Sequence, residues 1–442
     1  MTLPAARRTG RWNPTGVVGA SALSGVSLVL LGLVIARPDV VVLGVPLVLG
    51  LIWAARAHPT APGEVAIEDL RQDPDARVRA DIVLSPADGS EVALLRIASS
   101  GHRPVDVVVA STSPVRIPIS VSGVRTGRQR FFHVAHQEAS AGHLARTKSR
   151  ELGPVALTVL PRPQPLHRLP LPPRLQGLTG AHVSRRVGDG GDLHDIAPFA
   201  AGDRLRRIDW RVSLRASGRS QLPGSLTELH VRRTFATADA VVTLVLDSRD
   251  DVAREVASWS AFVELHPEEP TSLDIAREAA ASVAKAYLDT GDRVGFLDLG
   301  REHRPIPAAG GRRHLLRIMH GLAESTPRDV AHPIVRTPQV PSSALIVVFS
   351  TFLDDQAPRL AADWRRHGHR VLAVDVLPPL AEARRPLSET NLHRLVEVER
   401  TDRMWDLERA GVEVVPWSGN VTRGRTLTVG LATLARQRRR SR

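Results

Sequence analysis

Residues 185–222 contain the side chains in this chain whose types and spacing could best support catalysis. His194 is followed directly by Asp195, and Asp203 and Asp209 come shortly afterwards. Histidine and carboxylates bind divalent metals, so these four residues could form the site of a metal-dependent hydrolase. A His-Asp pair is a weak signal, because such sites need further ligands and outer hydrogen-bond partners. A membrane-bound hydrolase acting on envelope precursors is therefore the alternative function.

The same stretch, which we call the signature segment, alternates charged residues with single large apolar ones. Its aspartates and arginines cannot be buried unless they pair. We expect an ordered loop with interlocking salt bridges that docks on the following domain. Ile208 and Trp210 would be its apolar anchors.

The signature segment resembles the core motif of a bacterial family, domain of unknown function 58, the MoxR-associated proteins with a von Willebrand factor A-like domain. The residues that match the motif are Arg186, Gly188, Pro198, Phe199, Gly202, Asp203, Arg206, Arg207, Ile208, Asp209, Trp210, Ser213 and Arg215. The resemblance implies a partner, a MoxR-type AAA+ ATPase, and related von Willebrand factor A-like membrane proteins as further candidate partners. We assign a binding role to seven of these residues: Arg186, Gly202, Asp203, Arg207, Asp209, Trp210 and Arg215.

The resemblance also implies a magnesium site after the first strand of the A-like domain, built on Asp-x-Ser-x-Ser with a later threonine and aspartate. Here the five positions begin at Asp247, but Arg249 and Asp251 replace the serines, and Thr351 stands where the later aspartate is usual. Mg²⁺ requires oxygen ligands in near-octahedral geometry, and a guanidinium would repel it. We expect Arg249 to pair with Asp247 or Asp251. The predicted site is degenerate and holds no cofactor, although Asp354 or Asp355 could support weak Mg²⁺ binding.

The elements that must position these residues form an α/β domain over residues 238–430. Apolar runs typical of buried parallel strands cover 240–246, 293–299, 344–350, 371–377 and 412–416. Helices are predicted after Thr271, which has Asp274 in the capping-box position, and over 310–319, 357–367 and 401–410. This alternation predicts a doubly wound parallel sheet.

Two apolar runs near the N-terminus predict a transmembrane helical hairpin over residues 16–56, after a tail of residues 1–15. The first run, 16–36, has no charged residue and is long enough to cross a bilayer; the second, 40–55, is shorter, with Trp53 and Arg56 at its interfacial end. A cleaved signal peptide is the competing interpretation. The arginines before the first run and after the second predict that both ends of the hairpin lie in the cytoplasm. The protein would then lie in the cytoplasmic membrane, with its soluble body on the cytoplasmic side.

Residues 64–161 contain short β-branched runs separated by turn residues, which predicts a small antiparallel β-sandwich-like domain of six strands. His133, His136 and His143 lie here without further ligands at metal spacing, so solvated histidines are expected. The proline-rich stretch 162–180 is predicted to be a semi-rigid linker.

The chain carries a net charge of +13, no cysteine and only two lysines, and it ends in a basic tail over residues 431–442. The arginines are scattered and do not alternate with aromatic residues as a nucleic-acid platform requires, so nucleic acid is not an expected partner. A polyanion-binding membrane protein stays open as a third hypothesis. The leading prediction is a non-enzymatic, membrane-anchored scaffold or adaptor of multidomain architecture, with the lipid bilayer and an AAA+ ATPase as partners.

Overall fold

The computed structural model describes residues 12–56, 63–73, 77–100, 102–123, 125–143, 145–166, 169–176, 180–217, 228–255, 259, 269–301, 305–327, 334–379 and 387–417. The predicted basic tail and nearly all of the predicted N-terminal tail lie outside these residues. The chain divides into two compact units, one running to Val159 and one beginning at Leu160, with residues 266–269 grouped with the first.

The first unit begins with two apolar helices, α1 (Gly16–Val34) and α2 (Pro38–Arg56). A Cβ atom added to Gly44 would lie 2.7 Å from the Gly25 carbonyl oxygen, so the two helices approach closely where both lack side chains. By length and composition α1 is able to cross a membrane, whereas the apolar part of α2, Pro38–Ile52, is shorter. The side chains of Trp53 and Arg56, expected at an interface, are outside the described set.

The rest of the first unit is antiparallel β-structure in three sheets. The strands are β1 (Trp12–Pro14), β2 (Glu64–Gln72), β3 (Arg77–Ser85), β4 (Ser90–Ala98), β5 (Val105–Ala110), β6 (Val115–Ser122), β7 (Gly127–Phe131), β8 (His133–Ser140), β9 (Ala145–Thr147), β10 (Arg150–Leu152) and β11 (Val155–Val159). The sheets have the orders β1-β9-β8-β4-β5, with β10 also on β8, then β2-β3-β6, and β7-β11. Alternating apolar residues such as Val78, Ile82 and Leu95 form one buried core.

The predicted number of six strands is too low, because the described part of residues 64–161 forms ten strands, β2 to β11. One interruption lies at Phe132, between β7 and β8. Phe132 has a φ of 50°, a left-handed conformation that interrupts the extended backbone between β7 and β8. Its ring is nevertheless buried in the core. The turn therefore serves to keep an aromatic residue inside while the strands change sheets.

The second unit starts with the proline-rich stretch, which is packed and is not a free linker. Leu166 joins the core of the α/β domain. The Tyr287 hydroxyl donates to the Pro170 carbonyl oxygen, and Arg370 donates to the Leu171 carbonyl oxygen at 2.9 Å. Proline carbonyls have no internal partner in an extended chain, so they accept hydrogen bonds from the domain beside them. We call residues 160–176 the strap.

The signature segment is a strand and a helix, which corrects the prediction of a loop. Strand β12 (His182–Pro198) pairs with β13 (His230–Ala238) in an antiparallel ribbon with several register shifts, and α3 (Trp210–Ser217) follows a 3-10 turn at Leu205–Arg207. A two-stranded ribbon leaves its charged side chains in solvent, so they need no burial to be ordered.

The parallel sheet lies between two helical layers. Its strands are β14 (Val241–Leu246), β15 (Arg293–Asp298), β16 (Ile306–Ala309), β17 (Leu345–Ser350), β18 (Arg370–Asp375) and β19 (Glu413–Pro416), in the order β16-β15-β14-β17-β18-β19, with only β16 antiparallel. Helices α4 (Ser272–Asp289) and α5 (Arg312–Glu324) pack on one face; α6 (Gln356–Arg366) and α7 (Leu387–Arg409) pack on the other. Leu244 and Val245, adjacent in β14, enter opposite cores.

The predicted capping box at the start of α4 is confirmed, since the Asp274 carboxylate accepts the Thr271 amide at 3.1 Å. The predicted start of the last helix is wrong: α7 begins at Leu387, not near Thr401. The Thr401 hydroxyl donates to the Glu397 carbonyl oxygen, one turn earlier, so this threonine bonds within the helix and does not cap it.

Candidate functional site

The carboxyl ends of strands β14 and β17 meet at Asp247 and Ser350. The Ser350 hydroxyl donates to Asp247 Oδ2 at 2.7 Å, and the Asp247 amide donates to the Phe349 carbonyl oxygen. Ligands of open α/β sheets bind at this edge. The sheet therefore places a buried carboxylate where a functional site is expected.

The guanidinium of Arg249 fills the space beside Asp247. Its Nε and Nη2 donate to the two carboxylate oxygens of Asp247 at 2.8 and 2.9 Å, Nη2 reaches Asp354 at 3.1 Å, and Nη1 donates to Gln356 at 2.8 Å. Only 5% of the Arg249 side chain is exposed. The predicted pairing of Arg249 with Asp247 is confirmed, and it is a bidentate salt bridge, which is the stronger form of this interaction. Asp354, in the loop before α6, and Gln356, the first residue of α6, complete it. The sequence had indicated Asp354 only as a weak Mg²⁺ ligand, and it gave no signal for Gln356.

We call Asp247, Arg249, Asp250 and Asp354 the strand-end cluster. The pKa values of two of these residues, Arg249 and Asp250, are shifted. Burial acts to lower the pKa of Arg249, but the hydrogen bonds and charges of Asp247 and Asp354 outweigh it and raise that pKa. Burial, aided by the negative charges of Asp247 and Asp354, raises the pKa of Asp250 to about 6. The cluster is thus three carboxylates balanced by one fixed guanidinium.

Two other residues of the predicted metal loop do not join the cluster. Asp251 accepts the Leu273 amide at 3.3 Å near the start of α4, and the Thr351 carbonyl oxygen accepts from Arg400 at 2.9 Å. Over the described ranges, no group of three or more histidines or carboxylates is arranged to hold a metal. The residues at this edge therefore do not fit a divalent cation, because the position between Asp247 and Asp354 is taken by a positive group.

The signature segment has the salt bridges that its sequence predicts. Asp189 on β12 binds both Arg204 and Arg207 at 2.8 Å, and Arg207 also donates to the Gly188 carbonyl oxygen. These contacts tie the 3-10 turn back to the ribbon. Asp189 was not among the predicted binding residues, although its position in a Gly-Asp-Gly-Gly run was visible.

The aspartates of the Gly-Asp and Ile-Asp-Trp parts of the signature segment bind backbone amides. Asp203 accepts the Ala200 amide at 2.9 Å, which lowers its pKa, and Arg233 lies 3.5 Å away. Gly202 before it has a φ of 100°, which a side chain would strain. Asp209 accepts the Val212 amide at 3.2 Å and so caps α3.

Helix α3 is inverted in polarity. Ser213 is fully buried and Ser217 nearly so, whereas Trp210 is 56% and Leu214 61% exposed. The Ser213 hydroxyl accepts the His230 amide at 2.9 Å and donates to the Asp209 carbonyl oxygen at 2.8 Å. The expectation that Trp210 anchors the segment is wrong, because backbone hydrogen bonds to a serine do so. Ile208 is half-buried and pairs with Val231.

The hydrolase residues are not gathered into one site. His194 lies 3.2 Å from Asp195 and its ring packs edge-on against Phe235 at 4.7 Å, while Asp203 and Asp209 have the arginine and backbone partners given above. Arg186 and Arg215, the remaining predicted binding residues, are exposed.

Among known proteins, one family model matches this chain, and no solved structure does. Residues 195–404 match the model of the family described as "Protein of unknown function DUF58". Uncharacterized proteins of Mycobacterium bovis and Mycobacterium tuberculosis are 27% identical over 214 residues, which is 46% of this chain and 60% of each relative. No solved structure matches. Over residues 195–404, which include Ile208-Asp209-Trp210 and the strand-end cluster, the chain belongs to the DUF58 family of proteins of unknown function.

Proposed function

We propose that this protein is a non-enzymatic, membrane-anchored scaffold, or adaptor, whose A-like domain works with a MoxR-type AAA+ ATPase. The observation that carries the proposal is the inverted polarity of α3, in which Trp210 and Leu214 are presented to solvent. Exposed tryptophan beside arginine is the composition of protein-binding hot spots. A segment ordered by buried serine and salt bridges, with its apolar residues outside, is built for recognition.

The strand-end cluster supports binding over catalysis. A hydrolase that used Asp247 as a metal ligand or as a base would need that carboxylate free, and Arg249 binds both of its oxygens. The arrangement also supports the proposal that the sheet is a von Willebrand factor A-like domain with a degenerate metal position. Under this proposal no magnesium is required.

The anchor is proposed to be both helices, with the body in the cytoplasm. Helix α1 qualifies alone as a span. The close glycine contact between α1 and α2 supports a hairpin that crosses and returns. In the turn between the helices, Arg37 lies 3.5 Å from Asp39, which offsets its charge. Arginines without such an offset precede α1 and end α2, and this charge bias favours a cytoplasmic location for those two ends.

Two experiments test these proposals separately. The chain has no cysteine, so Asp39→Cys and Asp106→Cys report topology by labelling intact cells with an impermeant maleimide. We expect the first to be labelled from outside and the second only after lysis. Labelling of Asp106→Cys in intact cells would refute the cytoplasmic body.

The partner is tested by crosslinking in native membranes, with the tagged full chain as bait and a MoxR-type ATPase measured under ATP and ADP. We expect enrichment with the wild type and loss with Arg211→Glu plus Arg215→Glu. The matched control is Arg312→Glu, an exposed arginine on α5. Equal, background recovery of the ATPase from wild type and control would reject the adaptor role.

A further inference from the structure

Two helices of the second unit carry exposed apolar faces with opposite charge. The α3 face consists of Trp210 and Leu214 with Arg211 and Arg215 beside them; all four side chains are exposed. At 100° per residue these four positions lie within about 140° of helix surface. Neither arginine has an acidic partner within the described residues.

The second face is on α7. Leu395 is 56%, Val398 58% and Trp405 58% exposed, and their spacing places them on one stripe. The acids along one edge of this stripe are Glu399, Asp402 and Asp406. We call the three apolar and three acidic residues the α7 face.

The buried side of α7 does not use these acids. Leu407 and Met404 pack into the core, and Arg400 binds Asp375 and the Thr351 carbonyl oxygen. Glu399 lies 3.4 Å from Arg403 and Asp406 lies 3.5 Å from Arg409, both on the surface, where such contacts contribute little. Helix α7 as a whole has six acidic residues and four arginines, among them the exposed Arg394 and Arg409, so it is net acidic on a chain of net charge +13.

We propose that the α3 face of one copy docks on the α7 face of a second copy. The two faces are complementary in charge and both are partly apolar. The α3 face has a tryptophan, a leucine and two arginines, and the α7 face has a tryptophan, a leucine, a valine and three acidic residues. Because they lie on different elements of one chain, the contact is head-to-tail, and it either closes into a ring or extends from copy to copy. This inference rests on the proposed scaffold function and names an occupant for its recognition surface.

The test uses the full chain in detergent micelles, with mass measured by light scattering across a concentration series. The wild type should self-associate with increasing concentration. Trp210→Ala plus Leu214→Ala, and separately Val398→Ala plus Trp405→Ala, should each weaken association by roughly 30-fold or more, the scale of hot-spot truncation. Leu316→Ala, an exposed leucine on α5, is the matched control and should associate as the wild type does.

Mixing the two defective variants distinguishes a head-to-tail contact from any other. Each retains one intact face, so an equimolar mixture should form a one-to-one dimer and stop there. Failure of the mixture to pair, or a wild type that stays monomeric at every concentration, overturns the proposal. Binding of the wild type to vesicles with 30% anionic lipid that is lost only in the α3 variant, without self-association, would assign the α3 face to the membrane. The Val398→Ala plus Trp405→Ala variant keeps the α3 face intact, so ATPase recovery with this variant in the crosslinking experiment tests the scaffold proposal independently of self-association.

Discussion

Arg249 and Asp354 meet across the carboxyl edge of the parallel sheet, although they are separated by 105 positions in the chain. The arginine belongs to the loop after β14 and the aspartate to the loop before α6. Together with Asp247 they place a fixed positive charge where the resemblance implies a cation.

Removing that charge should convert the cluster into a cation site. In Arg249→Ser, the carboxylates of Asp247 and Asp354 lose their partner, and we expect a loss of about 3 kcal/mol in the free energy of unfolding. Millimolar Mg²⁺ or Mn²⁺ should then raise the melting temperature of the variant and leave the wild type unchanged. Arg312→Ser is the control. A wild type stabilised by Mg²⁺ would contradict the assignment of Arg249 as the resident cation.

The pKa of Asp250 predicts a pH dependence of stability. Its folded pKa of about 6 exceeds the ordinary value of 3.8, so the folded state binds the proton more tightly. Stability from this group is present below pH 4 and is lost as pH rises through 6, by up to about 3 kcal/mol. Asp250→Asn should flatten the slope between pH 4 and 6 and stabilise the protein at pH 7.5. Asp402→Asn, on the exposed side of α7, should change neither quantity.

Helix α3 predicts a reversed order of mutational effects. Ser213→Ala leaves the His230 amide without its buried acceptor and should cost about 1–3 kcal/mol. Trp210→Ala and Leu214→Ala remove exposed side chains and should change stability by roughly 0.5 kcal/mol or less. Hydrogen exchange of the His230 amide, measured by mass spectrometry, reports the difference directly. Greater loss of protection in Trp210→Ala would show that the tryptophan is an anchor after all.

The strap should depend on one hydroxyl. Tyr287→Phe removes the donor to the Pro170 carbonyl oxygen and keeps the buried ring, at a cost of about 1 kcal/mol. The expected result is faster proteolysis within residues 160–176, with the melting of the α/β domain little changed. Thr290→Val, at the C-cap of the same helix, serves as the comparison, because its hydroxyl bonds the Tyr287 carbonyl oxygen and Asp292 and not the strap. Unchanged cleavage in Tyr287→Phe would mean that Leu166 and Arg370 hold the strap without this hydroxyl.

The helix pair should be sensitive at one glycine and tolerant at another. Gly44→Ile inserts a side chain where a Cβ would lie 2.7 Å from the Gly25 carbonyl oxygen, whereas a Cβ at Gly50 meets nothing within 4 Å. We expect Gly44→Ile, and not Gly50→Ile, to lower the melting temperature of the detergent-solubilised chain. Equal effects would argue against close α1–α2 packing.

Local patterns predicted the parts of the fold that rest on local physics. Apolar runs located the parallel strands, as with Val241–Leu246, because a strand buried on both faces has few polar positions; Thr243 is the exception in this strand. The Thr271–Asp274 capping box likewise needs only neighbouring residues. Thr401 shows the limit of this approach, since the same side chain can cap a helix or bond back within one.

The amino-acid sequence alone determined the apolar N-terminal helices, the α/β alternation and the presence of Arg249 where the implied metal loop has a serine. Tertiary structure decided which partners Arg249 has, because Asp354 and Gln356 come from a distant loop whose approach depends on strand order. It also decided that Ser213 is inside and Trp210 outside. A pattern rule assumes that apolar residues are buried, and it fails at α3, where hydrogen bonds between the buried Ser213 and the backbone hold the inner side of the helix.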